Sequence, residues 1–408
     1  MSAGDRHSAP AHSVSMVLEM RPSALILALV CATAFAQLPE KKAQEGWIML
    51  FDGQTTFGWQ NEGGGKWHAE DGVLVGEPEG PDGWLRTTTP FADFVLTLEF
   101  RKGEAGNSGV FVRSAKDGAP HETGYEFQIW DEHPEFPTGS MVNHAPAKRV
   151  KLAPGKWHTY EIRALADSFQ VSINGRKVLD AKDPKAKFGF IGLQHKEGQR
   201  IEFRNIVLRP LGLSSIFNGK DLRGWSKVDT PRAKEPPVWS VKDGLLHVEK
   251  GPGQLETEAT YDDFILQLDV RANSSDPGHH PNSGVFLRGD PKAFWSGYES
   301  QIRNEYKDDD PTQPVDFGTG GIYHHQPARK VVAKDNTFFT KTIAASGRHL
   351  AVWVNGYQVS DWEDPNPEGS NVRQKQAKLT PGTISLQAHD PTTNLDFRNL
   401  RIVRLPRQ

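Results

Sequence analysis

Cysteine is almost missing from this sequence: Cys31 stands alone among 408 residues. No intrachain disulfide can form, and stability has to come from packing. An excess of positive charge is missing too. Forty-eight Lys and Arg face 51 Asp and Glu, a formal net charge of -3, so no overall positive field exists to hold a nucleic acid or an anionic membrane. No nucleic-acid partner is expected.

Long apolar runs are equally scarce. Ala24–Ala34 is apolar over 11 residues, too short to span a bilayer. It follows Arg21 and ends in Ala34-Phe35-Ala36, the small-x-small pattern of a secretory signal. Residues 1–36 therefore read as a leader cleaved after Ala36, with Met16 or Met20 as the start, and the mature chain as exported, periplasmic or secreted. Cys31 lies inside this leader, and no other segment is expected to cross a membrane. Stretches of helical period are few. By contrast, 39 Gly, 28 Pro, 11 Trp, 7 Tyr and 21 Phe favour an all-β chain of short strands joined by tight turns.

The strongest organisational signal is an internal repeat. Phe51-Asp52-Gly53 with Gly58-Trp59 returns as Phe217-Asn218-Gly219 with Gly224-Trp225. Asn107-Ser108-Gly109-Val110-Phe111-Val112-Arg113 returns as Asn282-Ser283-Gly284-Val285-Phe286-Leu287-Arg288, and Gly124-Tyr125-Glu126-Phe127-Gln128-Ile129 as Gly297-Tyr298-Glu299-Ser300-Gln301-Ile302. Late in each copy, Phe203-Arg204-Asn205-Ile206 matches Phe397-Arg398-Asn399-Leu400. Units of this length are duplicated domains, not solenoid repeats, and they divide the chain into residues 37–211 and 212–408.

Each copy reads as a β-sandwich. Phe94, Leu96, Leu98 and Phe100 alternate with Val95, Thr97, Glu99 and Arg101, as half-buried strands do. Asn174-Gly175 and Asn355-Gly356 sit between strand runs and supply the two positive-φ residues of a type I′ hairpin; Asp71-Gly72 and Asp243-Gly244 do the same. About a dozen strands per copy predict two packed antiparallel sheets of the jelly-roll kind.

Period-two parity then sorts the polar residues. With Val110, Val112, Tyr125, Phe127, Ile191 and Leu193 pointing inward, Arg113, Glu126, Gln128 and Gln194 fall on the other face. The second copy gives Arg288, Glu299, Gln301 and Gln387 in the same way. Such residues suit any solvated sheet face, but the same types recur on the same face in both copies. Histidines near the motifs, His144 and His325 before Pro-Ala-basic and His195 and His389 after the late Gln, could transfer protons near neutral pH. His279-His280 and His324-His325 admit a divalent metal, although no HExxH, EF-hand loop or spaced Cys/His set accompanies them. Neither a GxSxG elbow nor a phosphate-binding glycine loop is present.

Taken together, Phe-Asp-Gly with Gly-Trp, Asn-Ser-Gly-Val-Phe-x-Arg, Tyr-Glu-x-Gln-Ile, Asn-Gly and the late Leu-Gln resemble the 3-keto-disaccharide hydrolase domain family, twice over. The resemblance implies two tandem concanavalin-like jelly rolls, export, and action on an oligosaccharide or glycoside whose C3 hydroxyl is already a ketone. That ketone acidifies the C2 proton, so a base can form an enolate that expels the C1 substituent, after which water adds. Two-carboxylate hydrolysis is the contrasting chemistry. On this reading Glu126 or His144 is the base, Arg113 pairs with the enolate oxygen, and Gln128, Gln194 and His195 position the sugar. Glu299, His325, Arg288, Gln301, Gln387 and His389 are their second-copy equivalents. Asp131 is the acidic residue the family carries after Gln-Ile, and Asn304 replaces it in the second copy. Gly320-Gly321-Ile322-Tyr323 is closer to the family pattern than Gly139-Ser140-Met141-Val142, so the copies are not expected to be equally active. A non-catalytic carbohydrate-binding jelly roll is the alternative.

Overall fold

Strand formers punctuated by Asn-Gly and Asp-Gly turns build nearly all of the regular structure. The computed structural model describes residues 38–231, 233–372 and 375–406, with Met1 and Gly4; the expected leader run Ala24–Ala34, Cys31 and the cleavage position after Ala36 lie outside the described residues. Among the described residues, α-helix is confined to Glu40–Gln44 and Pro120–Thr123, and no helix is long and apolar enough to cross a membrane.

The first copy forms β1 (Ile48–Met49), β2 (Trp59–Glu62), β3 (Trp67–Glu70), β4 (Val73–Gly76), β5 (Gly83–Thr87), β6 (Phe94–Lys102) and β7 (Ser108–Ser114). It continues with β8 (Tyr125–Ile129), β9 (His158–Leu165), β10 (Ser168–Ile173), β11 (Arg176–Lys182), β12 (Phe190–His195) and β13 (Ile201–Pro210). The second copy repeats the series as β14 (Ser214–Ser215), β15 (Trp225–Asp229), β16 (Val238–Lys242), β17 (Leu245–Glu249), β18 (Gly253–Thr257), β19 (Phe264–Ala272) and β20 (Ser283–Gly289). Then follow β21 (Tyr298–Ile302), β22 (Phe339–Ser346), β23 (His349–Val354), β24 (Tyr357–Glu363), β25 (Thr383–Ala388) and β26 (Asn394–Arg404).

Each copy is a sandwich of an eight-stranded and a five-stranded antiparallel sheet. The larger sheet runs β3-β4-β13-β6-β9-β10-β11 with β1 beside β13, and again β16-β17-β26-β19-β22-β23-β24 with β14 beside β26. The smaller runs β2-β5-β12-β7-β8 and β15-β18-β25-β20-β21. The all-β tandem jelly-roll architecture expected from the repeat is therefore the one observed. The hairpin turns have the expected backbone: Asn174 and Gly175 at φ 50° and 76°, Asn355 and Gly356 at 50° and 78°. Leu96, Phe100, Val110, Phe127 and Leu193 fill the first core; Leu266, Val270, Val285, Ile302 and Leu386 fill the second.

Parity fails at one position in each copy. Gly192 pairs with Phe111 and Phe190 with Ser114, so β7 carries one extra residue there, a β-bulge with Arg113 at φ 55°. The bulge turns Arg113 to the same side as Val112. Its guanidinium, 1% exposed, donates from Nε to the Ala92 carbonyl, from Nη1 to the carbonyls of Ala166 and Ala186, and from Nη2 to Asp93. Arg288, at φ 54° in the matching bulge of β20, does the same with the carbonyls of Asp262, Gly347 and Lys378 and with Asp263. The assignment of Arg113 and Arg288 to the enolate oxygen is thus corrected: both are spent inside the sandwich, tying the smaller sheet to three loops at one end.

The two sandwiches belong to one compact unit. In the first copy β9 alternates between buried and exposed residues, but its counterpart β22 is buried throughout. Ile265, Ala344, Ala351 and Trp353 of the second copy join the same apolar cluster as Ile48 and Leu208, and the Trp353 indole donates to the Met49 carbonyl at 3.0 Å. Arg329 reaches Asp52 at 2.7 Å between the rings of Phe57 and Tyr357, with its guanidinium 4.2 and 4.4 Å from their centroids.

The arginine staple is testable. Arg288→Met keeps the stem but leaves Asp263 and three carbonyls without the guanidinium, and is expected to cost ~3–5 kcal/mol of unfolding free energy in urea titration. A loss under about 1 kcal/mol would show that the loops hold without it.

Candidate active site

The outer face of each five-stranded sheet carries two cross-strand rows. In the first copy, register places Gln60, Arg86, Gly192, Phe111 and Glu126 in one row and Glu62, Trp84, Gln194, Gly109 and Gln128 in the next. In the second, the rows are Ser226, Glu256, Ser385, Phe286 and Glu299, then Val228, Gln254, Gln387, Gly284 and Gln301. Both glycines make room for a carboxylate: a Cβ on Gly109 would lie 2.7 Å from Glu126 Oε1, and one on Gly284 closer still to Glu299 Oε1. That is why Asn-Ser-Gly-Val-Phe precedes Tyr-Glu-x-Gln in each copy.

The first face is filled. Trp84 lies over Gly192, where a Cβ would strike its ring, and meets Phe111 edge-on with centroids 5.7 Å apart. Trp84, Phe111 and Phe190 form an apolar cluster separate from the core. Arg86 is held by Glu62 and Gln60 and stacks 4.4 Å over Phe190. A cleft of about 410 Å³ opens where Arg86 and Phe190 meet Arg348, His349 and Glu363 of the second copy. Glu126 is 7% exposed and accepts a hydrogen bond from Gln194 Nε2 at 3.0 Å. Burial pushes its carboxyl up to about 7, opposed by Gln194 and by the charge of Lys196.

The second face is polar where the first is apolar, since Gln254 and Ser385 stand in place of Trp84 and Gly192. Gln301 Nε2 donates to Asp316 Oδ2 at 3.1 Å, and Asn282 Nδ2 donates to the same oxygen at 3.1 Å. Tyr323 also hydrogen-bonds Asp316; burial and the charges of Asp316 and Glu299 raise its phenol, which keeps its proton at neutral pH. Tyr323 N donates to the Glu299 carbonyl at 2.9 Å, as Val142 N does to that of Glu126, so Val142 occupies the tyrosine's place in the first copy. Beneath the strand, the buried Lys341 amine donates to the carbonyls of Ser300 and Gln301, and burial pushes it down to about 7. Gln387 Oε1 and Asn282 Oδ1 are buried without a partner. Their residues are 1% and 8% exposed, and Gln194 Oε1, the first-copy equivalent of Gln387 Oε1, is buried without a partner in the same way.

Of the residues singled out in the sequence, Glu126, Gln128 and Gln194 come together on the first outer face, and Glu299, Gln301 and Gln387 on the second. The histidines require correction. His144 bonds Asp183 at 2.8 Å and abuts the core-facing ring of Tyr125, while His325 stacks on Trp362 near Tyr298; both lie on the inward side of the residue next to the glutamate, away from its carboxylate. His195 is fully buried with its ring nitrogens 3.0 and 2.6 Å from the carbonyls of Pro81 and Glu77, a structural role that leaves nothing for a sugar. Nor is it the equivalent of His389: His195 pairs with Gly83 as Ala388 pairs with Gly253, so Lys196, bonded to Asp82, corresponds to His389. Asp131 is occupied by Lys102 at 3.0 Å and by the Thr138 hydroxyl. Among the described residues, no three His, Cys, Asp or Glu side chains are placed to share a metal ion. Asp316, Tyr323 and Asn282 were not assigned to the site from sequence; the Gly-Gly-Ile-Tyr difference between copies was the available signal.

Glu126 makes a pH-dependent contribution whose sign is fixed. Its folded pKa of about 7 exceeds the ordinary 4.5, so the native state holds the proton more tightly and stability falls as pH rises between those values. Glu126→Gln should match the parent near pH 4 and exceed it by up to ~3 kcal/mol at pH 8 in urea unfolding. Equal stabilities at both pH values would refute the buried-carboxyl account.

Comparison with known proteins agrees with the duplication. A 3-keto-disaccharide hydrolase of Bacteroides thetaiotaomicron is 27% identical over 169 residues, a match that takes in 33% of this chain and 58% of that protein. A candidate glycosyl hydrolase of Parabacteroides distasonis aligns with 22% identity and a TM-score of 0.39 over 43% of this chain and 98% of its own. The carbohydrate-binding module CBM66 of Bacillus subtilis aligns with 21% identity and a TM-score of 0.32 over 38% and 96%. The model of the 3-keto-alpha-glucoside-1,2-lyase-like domain matches residues 46–209 and again 212–403, one match on each sandwich, and the chain belongs to that family.

Proposed function

We propose that the chain is an exported enzyme that cleaves 3-keto-glycosides by elimination across C1 and C2 followed by hydration, and that the reaction runs on the second copy. The observation that carries this reading is the cluster of Glu299, Asp316 and Tyr323 on an outer face where Gln254 and Ser385 stand in place of Trp84 and Gly192. A carboxylate and a protonated phenol side by side are a base and an acid in one site. The Glu299 carboxylate takes the C2 proton; the C2–H electron pair forms the enolate of the C3 ketone. As the enolate collapses, the C1–O bond breaks and the leaving oxygen takes the Tyr323 proton. Water adding across the C1–C2 double bond then gives the free 3-keto sugar. Gln301 and Asn282, held on Asp316, fix the position of the phenol. The first copy keeps the glutamate but has Val142 for the phenol and Trp84 over the sheet, so it is assigned no turnover. Export rests on Arg21, Ala24–Ala34 and Ala34-Phe35-Ala36.

The test is release of 3-keto-glucose from a 3-keto-α-glucoside. Glu299→Gln should lower kcat by roughly a thousandfold, while Glu126→Gln should keep most of the activity. The reverse pattern would move the reaction to the first copy, and binding of glycans with no release by the parent chain would leave a carbohydrate-binding protein. Tyr323→Phe separates the roles further. It should slow substrates that expel an alkoxide by roughly a hundredfold yet spare those that expel nitrophenolate, which needs no acid. Equal losses on both would remove Tyr323 from leaving-group protonation.

A further inference from the structure

The interior beneath the second glutamate strand holds a cation that the proposed steps do not use. Lys341 of β22 is fully buried, and its Nζ donates to the carbonyls of Ser300 at 2.7 Å and Gln301 at 2.8 Å, the two residues that follow Glu299. In the first copy Tyr160 holds the same place: Leu98 pairs with Tyr160 as Leu268 pairs with Lys341, and the Tyr160 hydroxyl donates to the Gln128 carbonyl at 3.3 Å. A second interior position differs with it. Val285 pairs with Ser300 as Val110 pairs with Phe127, so Ser300 stands where a phenyl ring fills the first core. An amine and a small hydroxyl in place of two aromatic rings bury less apolar surface and place a charge where none is needed for packing. Such a group at the back of a candidate active site calls for a role in the chemistry.

The charges this amine can answer lie on the outer face. Tyr323 stands in the field of both Asp316 and Glu299, so two carboxylates share one phenol. Like charges that close favour a proton on one of them, and a protonated Glu299 cannot take the C2 proton. Asp316 accepts from Gln301, Asn282 and Tyr323, which hold it as an anion. Lys341 meets Glu299 from the other side of the strand: burial pushes the amine down to about 7, and the charge of Glu299 opposes that fall. Each charge therefore favours the other. In the first copy, where only the neutral Tyr160 phenol lies beneath the strand, burial raises Glu126 to about 7. The remaining charged groups are engaged or distant. Glu256 lies three strands away in the same row, His389 is bonded to Asp390, Arg303 to Glu305, and His324 packs against the Tyr323 ring; inside the sandwich Arg288 is bound to Asp263.

We infer that Lys341 is a positioning residue for Glu299: from inside the sandwich its ammonium holds the glutamate as a carboxylate beside Asp316, and its two hydrogen bonds fix the strand that carries it. The inference rests on the reading of Glu299 as the base. Reciprocity gives a test that needs no turnover. In the full chain labelled with 13C-lysine, the Lys341 ε-carbon, recognised as the lysine signal of lowest midpoint, should titrate about one pH unit lower in Glu299→Gln than in the parent. An unmoved midpoint would overturn the inference. Where the parent releases 3-keto-glucose from a 3-keto-α-glucoside, the acid limb of kcat/KM should move up by about one pH unit in Lys341→Met and stay in place in Lys341→Arg, which keeps the charge. A limb that stays in place in Lys341→Met, with kcat/KM lowered equally at every pH, would also overturn it and leave Glu299 as the base. If Lys341→Met does not fold, or if the parent acts on no 3-keto-glycoside and the elimination reading fails, the lysine titration decides, since it needs only the parent and Glu299→Gln.

Discussion

One guanidinium per sandwich holds the architecture in register. Arg113 and Arg288 leave a strand of the smaller sheet through a bulge and bind carbonyls in three loops, one before β6 or β19, one in the turn after β9 or β22, and one before β12 or β25. Asp93 and Asp263 complete each staple and also accept from the backbone of Ala166 and Gly347. A buried cation surrounded by acceptors on all sides tolerates little movement of any of them. The bulge shifts the register of β7 and β20 just past Phe111 and Phe286, and pairing resumes at Ser114 and Gly289. On the other side of β7 and β20 the register is unbroken, and it sets Glu126 and Glu299 opposite those phenylalanines.

From that shared frame the two copies have diverged by exchanging a few side chains on one face. Trp84 over Gly192 closes the first face, and Glu126, farther along the same row, is buried deeply enough to hold a proton near neutral pH. In the second, Gln254 and Glu256 turn their polar ends to a loop, Ser385 replaces the glycine, and Tyr323 replaces a valine. Buried amide oxygens without partners are costly in a protein that has only itself to satisfy them. They occur at Asn282 and Gln387 on the second face and at Gln194 on the first.

The divergence extends to the opposite sheet. Where the first copy exposes Thr159, Glu161 and Leu165 along β9, the second places Thr340, Thr342 and Ser346 along β22, with Ala351 and Trp353 next door on β23. Small side chains and one indole let the segment around Met49 lie flat across that sheet. The second sandwich thus has apolar contacts on both faces of its larger sheet, and the two copies share a continuous apolar cluster.

Much of this was legible in the residues. Period-two alternation, Asn-Gly and Asp-Gly turns and the repeated motifs determined two all-β sandwiches, because local backbone preference and side-chain parity act over a few residues and need no knowledge of the rest. The same parity placed Glu126, Gln128, Gln194, Glu299, Gln301 and Gln387 on one face. It failed at Arg113 and Arg288, where a single inserted residue reverses the side on which every later side chain falls and no local pattern announces it. It failed also for His195 against His389, adjacent in the alignment of motifs yet one residue out of step in the sheet. Only the tertiary structure could bring Asp316 and Tyr323 to Gln301 and Glu299, or set Trp295 against His389 across 94 residues of chain. Those meetings depend on how loops distant in sequence are anchored, and the anchors are hydrogen bonds that form only when the sheets are already in place.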